Sequence, residues 1–401
     1  MRKLHRVLAI LLSIILLWMN CALHTAPAVG SQAERDRSLD QLRYLGPRVH
    51  GGLGDEMQRL FPEGNDFVHA LYGLAWCGLA RAGAEGDPVR GEALREALWA
   101  LAQMDRPDVQ GRYDPNAKPR FGAFHAGWRN VLLGRIIEAQ GAERDSILLG
   151  QFNRRCSEIA YGFAASSSPF IESYPGRAWP ADAVVAMASL GLHDRLVDPL
   201  YQEVIARWVA QVRARLDDRD MIPHQWDPMH DGVAQSARGS SQALMNSFLP
   251  GIDPALAAEQ YFMYRRWFLA EPLGMPVFRE HPHTIRGAGD VDSGPVIFGV
   301  GGAATLVNAA ATRANDEPIQ AHVADAVTEA LCFASGGDHR SYLFGAMPVA
   351  DLFIAWGRSI PPVHAEHPSI AFKKFHLWSI AILLFLWSPA LWRVWLHRKA
   401  G

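Results

Sequence analysis

The sequence is short of charge, of cysteine and of strand-like alternation, and each shortage removes a class of protein. Charged residues make up 20% of the chain and the formal net charge is -2, so no global field favours nucleic acid. No P-loop and no GxGxxG phosphate cradle occurs at a strand-to-helix turn. The four cysteines are Cys21, Cys77, Cys156 and Cys332, and none belongs to a CxxC or a Cys/His cluster. That argues against a disulfide scaffold and a structural zinc site. Cys77 in LYGLAWCGLA and Cys332 in EALCFA sit among small apolar residues and read as buried thiols. His281-Pro282-His283 lacks a third ligand, so no metal is expected.

Apolar and aromatic residues are plentiful. Hydrophobic residues make up 49% of 401, enough for a large core and too many for a disordered chain. Arg2, Lys3 and Arg6 precede an apolar run over 7–23, and Ala26-Pro27-Ala28 resembles a small-residue cleavage site. A signal peptide or signal anchor is therefore expected over 1–29. A second apolar run over 375–392 has Trp378, Trp387, Trp392 and Trp395 near its ends and basic residues on both flanks. It predicts a transmembrane helix with a cytoplasmic tail over 372–396. The domain between, 30–365, is then expected on the periplasmic or extracytoplasmic side.

That middle is rich in helix formers at helical spacing. Phe67, Leu71, Leu74, Ala75 and Leu79 mark one face, and Gly83 closes the helix. Further helices are expected over 91–104, 131–141, 147–163, 182–190, 197–216, 240–249, 255–269, 296–310 and 319–333, with another beginning at 351–356. No series of alternating strands with hairpin turns is evident. Polar, Gly/Pro/aromatic-rich segments recur near 63, 113–125, 172–182, 226–241, 280–294 and 336–348. Their spacing of roughly 50–60 residues fits a repeating helical hairpin. The expectation is all-α: six αα-hairpins closed into an (α/α)6 barrel, with polar residues gathered at the N-terminal ends of inner helices.

The polar segments supply the candidate residues. In FPEGNDF, Asn65 and Asp66 read as helix caps, and Glu63 reads equally as a cap or a site residue. In RYDPNAKPRFGAFHAGWRN, Tyr113 lies in a Pro-rich loop, and His125 and Trp128 share a helix face. IESYPGRAWPADAV crowds Glu172, Tyr174, Arg177, Trp179 and Asp182 together. It is either a site loop or an Arg-tethered loop in which Asp182 caps the next helix. In SARGSSQALMNSF, Arg238 stands at a helix start, and Gln242 and Asn246 lie four apart on one face. FREHPHTIRGAGDVDSGPVIFG carries Arg286, Asp290 and Asp292, the two acids being a possible carboxylate pair of offset pKa.

Across residues 36–358 the chain resembles the linalool dehydratase/isomerase-like family. The likeness is carried by LDQLRYL, FVHALYGLAWCGLA, GWRNVLLGRIIEAQG, the Tyr/Trp loop leading into DAVVAM, GIDPALAAEQY and GDVDSGPVIFGVGGAATLVNAA. The resemblance implies an (α/α)6 barrel, an extracytoplasmic location, no cofactor, and acid/base loss or addition of water on an allylic terpene alcohol. The family's cysteine pair corresponds to Glu172 and Ala181 here. Its histidine corresponds to Trp128, with His125 one turn upstream, and its early Asp has no counterpart over 49–55.

These readings predict a membrane-anchored barrel with a lyase or isomerase activity of hydro-lyase type. Two alternatives stand beside it: a carbohydrate-active hydrolase or lyase, and a non-catalytic binding or scaffold protein. Glu172 and Asp292 are the expected acid and base, with Asp290 and His125 as further catalytic residues. Arg238 and Arg286 would orient an oxygen, while Tyr113, Trp128, Tyr174 and Trp179 would wall the substrate. Arg177, Asp182, Gln242 and Asn246 complete the binding set. The expected partners are a small-molecule substrate and the membrane; the oligomeric state is left open.

Overall fold

Sixteen α-helices carry most of the described chain. The structure, a computed structural model, describes residues 2–83, 86–291, 293–335, 340–361 and 372–399. In order the helices are α1 (Arg2–Ala22), α2 (Gln32–Arg48), α3 (Gly54–Gln58), α4 (Gly64–Ala82), α5 (Pro88–Met104), α6 (Pro107–Gln110), α7 (Gly122–Gln140) and α8 (Ser146–Ala165). They continue with α9 (Pro180–Leu196), α10 (Gln202–Arg213), α11 (Gly239–Asn246), α12 (Pro254–Phe268), α13 (Gly302–Ala314), α14 (Pro318–Leu331), α15 (Pro348–Ser359) and α16 (Lys373–Lys399). The predominantly helical class is as expected from the spacing.

Helix starts follow local chemistry. Asp87, Asp145 and Asp253 accept hydrogen bonds from backbone N–H groups of α5, α8 and α12, which satisfies otherwise orphaned donors. Proline stands in the first turn of α5, α9, α12, α14 and α15, where its missing N–H costs nothing. One expected helix is shorter than its sequence pattern. Residues 296–301 instead form a hairpin of β1 (Val296–Ile297) and β2 (Val300–Gly301), because Phe298 and Gly299 both turn with positive φ.

Six helices contact one another in sequence. Helix α4 packs on α7, α7 on α9, α9 on α11, α11 on α13, α13 on α15, and α15 returns to α4. Residues 180–193 of α9 are buried on every side, as an apolar helix inside a layer must be. Outside these six, α5 lies on α4 and α7, α8 on α7 and α9, α12 on α11, α14 on α13, and α2 on α15 and α4. Helix α10 buries only one face, through Trp208, Val209 and Val212.

A buried ionic network joins α2 to the last helices. Arg313 of α13 bonds Glu34 of α2 at 2.5 Å and also Asp325 of α14. Arg358 of α15 reaches Asp325 at 3.2 Å and Glu329 at 2.8 Å. Gln41 donates to Asp351 at 2.8 Å, and the Tyr342 N–H donates to the same carboxyl at 3.1 Å.

The two terminal helices correct the membrane expectation. Among the described residues, no helix is long and apolar enough to cross a membrane. Helix α1 opens with Arg2, Lys3, His5 and Arg6, and Ser13 and Asn20 interrupt its apolar run. Helix α16 contains His376, Ser379, Ser388 and Pro389, whereas a span needs about 20 predominantly apolar residues. The two helices lie antiparallel. Asn20 donates to Ser379 at 2.9 Å, and the Trp387 indole donates to Ser13 at 3.0 Å. Helix α1 also packs on α14. The expected transmembrane helix and the membrane location inferred from it are therefore not supported.

Candidate active site

The polar residues that meet do so at the N-terminal ends of α4, α7 and α9. Asp66, in the first turn of α4, is wholly buried and caps no backbone group. Its carboxylate instead receives the Tyr113 hydroxyl and lies 3.2 and 3.3 Å from Nδ1 of His125. With Nδ1–H donated to that carboxylate, Nε2 of the ring is left as the acceptor. That Nε2 is buried and has no hydrogen-bond partner among the described residues. Buried nitrogens are nearly always paired, so this one marks a place for a ligand atom or a water.

A second carboxylate lies beside the first. The Tyr174 hydroxyl donates to Glu63 at 2.8 Å. Tyr113 and Tyr174 stack with ring centroids 5.9 Å apart, and Trp179 meets Tyr174 edge-on at the same distance. Both phenols are held protonated far above the ordinary tyrosine range, first by burial and then by the adjoining carboxylates. Tyr174, Trp179 and Phe67 are half-buried, so aromatic faces border the buried Asp66–His125 pair.

Backbone geometry brings the two loops together. Phe121 (φ 72°) and Gly122 (φ 79°) both take the left-handed conformation before α7. A β-carbon on Gly122 would strike the Ser173 carbonyl oxygen, so only glycine fits there. The Ala123 N–H donates to the Glu172 carbonyl at 3.0 Å. Ser173 in turn donates to Asp182 at 2.5 Å, tying the loop to the first turn of α9.

Several sequence-selected residues lie elsewhere. Glu172 is exposed and accepts the Gly176 N–H at 2.9 Å, which staples its own turn. Arg177 is exposed, and its backbone pairs with Tyr174. Asp292 lies outside the described residues. Arg238 does not face a substrate oxygen, because it is occupied by Glu280 at 2.8 Å and by Asp290. The Arg238 contact, against the cost of partial burial, holds the Asp290 carboxyl well below the usual range. Asp290 is therefore a salt-bridge partner and not a proton carrier. Arg286 lies on an exposed loop. Gln242 donates to the Ile222 carbonyl at 2.5 Å, and Asn246 donates to the Gln242 carbonyl at 2.8 Å. Both are wholly buried and hold backbone carbonyls.

Trp128 is also wholly buried, as part of an aromatic plug. Its ring centroid is 5.3 Å from Phe67, 5.6 Å from Phe248 and 6.1 Å from Trp356. The plug draws its rings from α4, α7 and α15 and from Phe248, just after α11.

Nothing among the described residues supports the lyase or isomerase expectation, and Glu172, one of its two expected proton carriers, is committed to a turn. Asp66 was legible only as a cap; its partner His125 lies 59 residues away, and no spacing rule reaches that far. Among the described residues no group of three His, Cys, Asp or Glu side chains is arranged to hold a metal ion. No protein-family model matches the chain, and no curated protein sequence matches it.

Proposed function

We propose that the chain is an (α/α)6 toroid carrying a general-base hydrolytic site at the N-terminal mouth of its inner helices. The toroid reading is supported by the return of α15 onto α4, with α2, α5, α8, α10, α12 and α14 outside. It is the fold that the resemblance to the linalool dehydratase/isomerase-like family implies. Membrane tethering and elimination or isomerisation chemistry are no part of the proposal.

The observation that carries the function is Nε2 of His125, buried and unpartnered while Nδ1 faces Asp66. In this reading Nε2 takes a proton from water as the water oxygen bonds to an ester carbonyl carbon and the C=O pair moves onto its oxygen. The carbonyl then re-forms as the bond to the alcohol oxygen breaks, and the imidazolium returns its proton to that departing alkoxide. The Asp66 carboxylate orients the ring and stabilises the imidazolium that forms. Elimination needs both an acid and a base, but water activation needs only the base in this step. Both nearby phenols already direct their O–H hydrogen bonds to carboxylates, which leaves the base as the supported role. Phe67, Tyr174 and Trp179 would hold an apolar or aromatic substrate body.

The test is hydrolysis of a panel of small aryl and alkyl esters by the full chain, with His125→Gln and Asp66→Asn beside it. Expected is turnover that falls at least 100-fold in both variants, in line with loss of a general base. Nitrogen NMR should find the His125 proton on Nδ1. Turnover unchanged in a folded His125→Gln protein, or a proton on Nε2, would overturn the reading.

A further inference from the structure

The opposite ends of the same helices enclose a cavity of about 330 Å³. Phe248 and Trp356, which pack on Trp128, form part of its wall. Leu74, Val131, Leu192 and Ile360 add apolar surface. The charged part of the lining is mostly cationic: Arg81, Arg135, Arg195 and Arg313, with a single carboxylate, Glu138.

The charges do not balance. Arg135 lies 2.7 Å from Glu138, Arg81 3.4 Å and Arg195 3.9 Å. Three guanidiniums thus share one carboxylate. Burial opposes ionisation of Glu138, yet these arginines hold its carboxyl below the ordinary glutamate value. Arg81 and Arg195 are both lowered, first by burial, with Arg135 adding repulsion in each case. Arg313 is the second, independent observation. Its side chain is fully buried, and although Glu34 and Asp325 bind one nitrogen, its Nε and Nη1 have no hydrogen-bond partner among the described residues.

Helix ends account for part of this arrangement. Arg81, Arg195 and Arg313 stand in the last turns of α4, α9 and α13, where the dipole favours cations. The dipole does not account for three arginines on one acid beside an apolar cavity, nor for unfilled donors on a buried guanidinium. Guanidinium forks match carboxylates in particular. At about 30 Å³ per water of liquid volume, the space holds on the order of ten non-hydrogen atoms.

We infer that this cavity is a binding site for a small amphipathic carboxylate, its head on the Arg81/Arg135/Arg195 cluster and its tail against Leu192, Phe248 and Trp356. The site is separate from the hydrolytic reading and does not depend on it.

Calorimetric titration of the full chain with octanoate tests the inference, with octanol, octylamine and inorganic phosphate as comparisons. Octanoate should bind at least tenfold more tightly than each of the other three. Arg195→Gln and Arg135→Gln should each weaken octanoate at least fivefold, while Arg43→Gln, in a surface pair with Glu92, leaves it unchanged. Circular dichroism confirms that each variant is folded. Octanol binding as tightly as octanoate would reduce the site to an apolar void. Phosphate binding as tightly would deny the apolar wall a role. Unchanged affinity in both folded arginine variants, or no octanoate binding at all, would also overturn the assignment. His125→Gln should bind octanoate normally, which separates this result from failure of the hydrolytic reading.

Discussion

Gly122 lies against the carbonyl of Ser173 so closely that no side chain fits between them. This contact fixes the start of α7, and hence His125, relative to the loop that carries Tyr174. The two halves of the proposed site are held by a backbone contact that any β-carbon would break.

Gly122→Ala is accordingly expected to cost about 3 kcal/mol, from the positive φ and the steric overlap together. Urea unfolding measures this directly. Ester turnover should fall further than the loss of folded protein explains, because His125 shifts with the start of its helix. A stability change below about 0.5 kcal/mol would mean that the loops are not in contact.

Stability should depend on pH through two buried groups of opposite sign. Burial lowers His69 to about 4, against about 6.5 in the unfolded chain. Its contribution is full above pH 6.5 and is lost as pH falls towards 4, amounting to about 3 kcal/mol. Asp351 is raised to about 6, again chiefly by burial, from about 3.9 when unfolded. Its contribution is full below pH 3.9 and is lost as pH rises through 6, also by about 3 kcal/mol. His69→Gln should flatten the acid side of a melting-temperature profile between pH 4 and 6.5. Asp351→Asn should steepen it, because the opposing slope is removed. Parallel profiles in all three proteins would contradict both assignments.

Arg313→Met leaves Glu34 and Asp325 buried without their shared cation. The expected loss is about 3–5 kcal/mol. Arg313→Met combined with Glu34→Gln and Asp325→Asn should recover more than half of it, because the stranded charges are gone. Equal instability in the single and triple variants would assign the loss to packing.

The helices were the legible part of this sequence. Gly83 closes α4 and Gly141 ends α7 where the apolar spacing stops. The apolar stripe begins about nine residues after the start of α7, whose first turns carry His125, Trp128 and small residues, so only the spacing of His125 and Trp128 pointed to helix there. The 296–301 hairpin was missed because apolar residues around Gly299 read equally well as helix. The site was legible in its tyrosines and His125, whose residue types are costly to bury. It was not legible in Asp66, whose position before an apolar run is also that of a cap. Only the tertiary contact with His125 and Tyr113 distinguishes the two. Arg238 and Asp290 misled for a related reason: sequence displays charges and hides the partners that neutralise them.

The ionic network between α2 and α13–α15 has a consequence for synthesis. Glu34 and Arg313 are 279 positions apart, and Gln41 and Asp351 are 310 apart. On a ribosome, α2 emerges long before the side chains that neutralise and bury it exist. It must remain unsealed until nearly the whole domain has been translated, so closure is a late, long-range event with the slow kinetics such contacts impose. During that interval the flank of α4 that α2 and α15 will cover is open to water, and to whatever chaperones attend the growing chain.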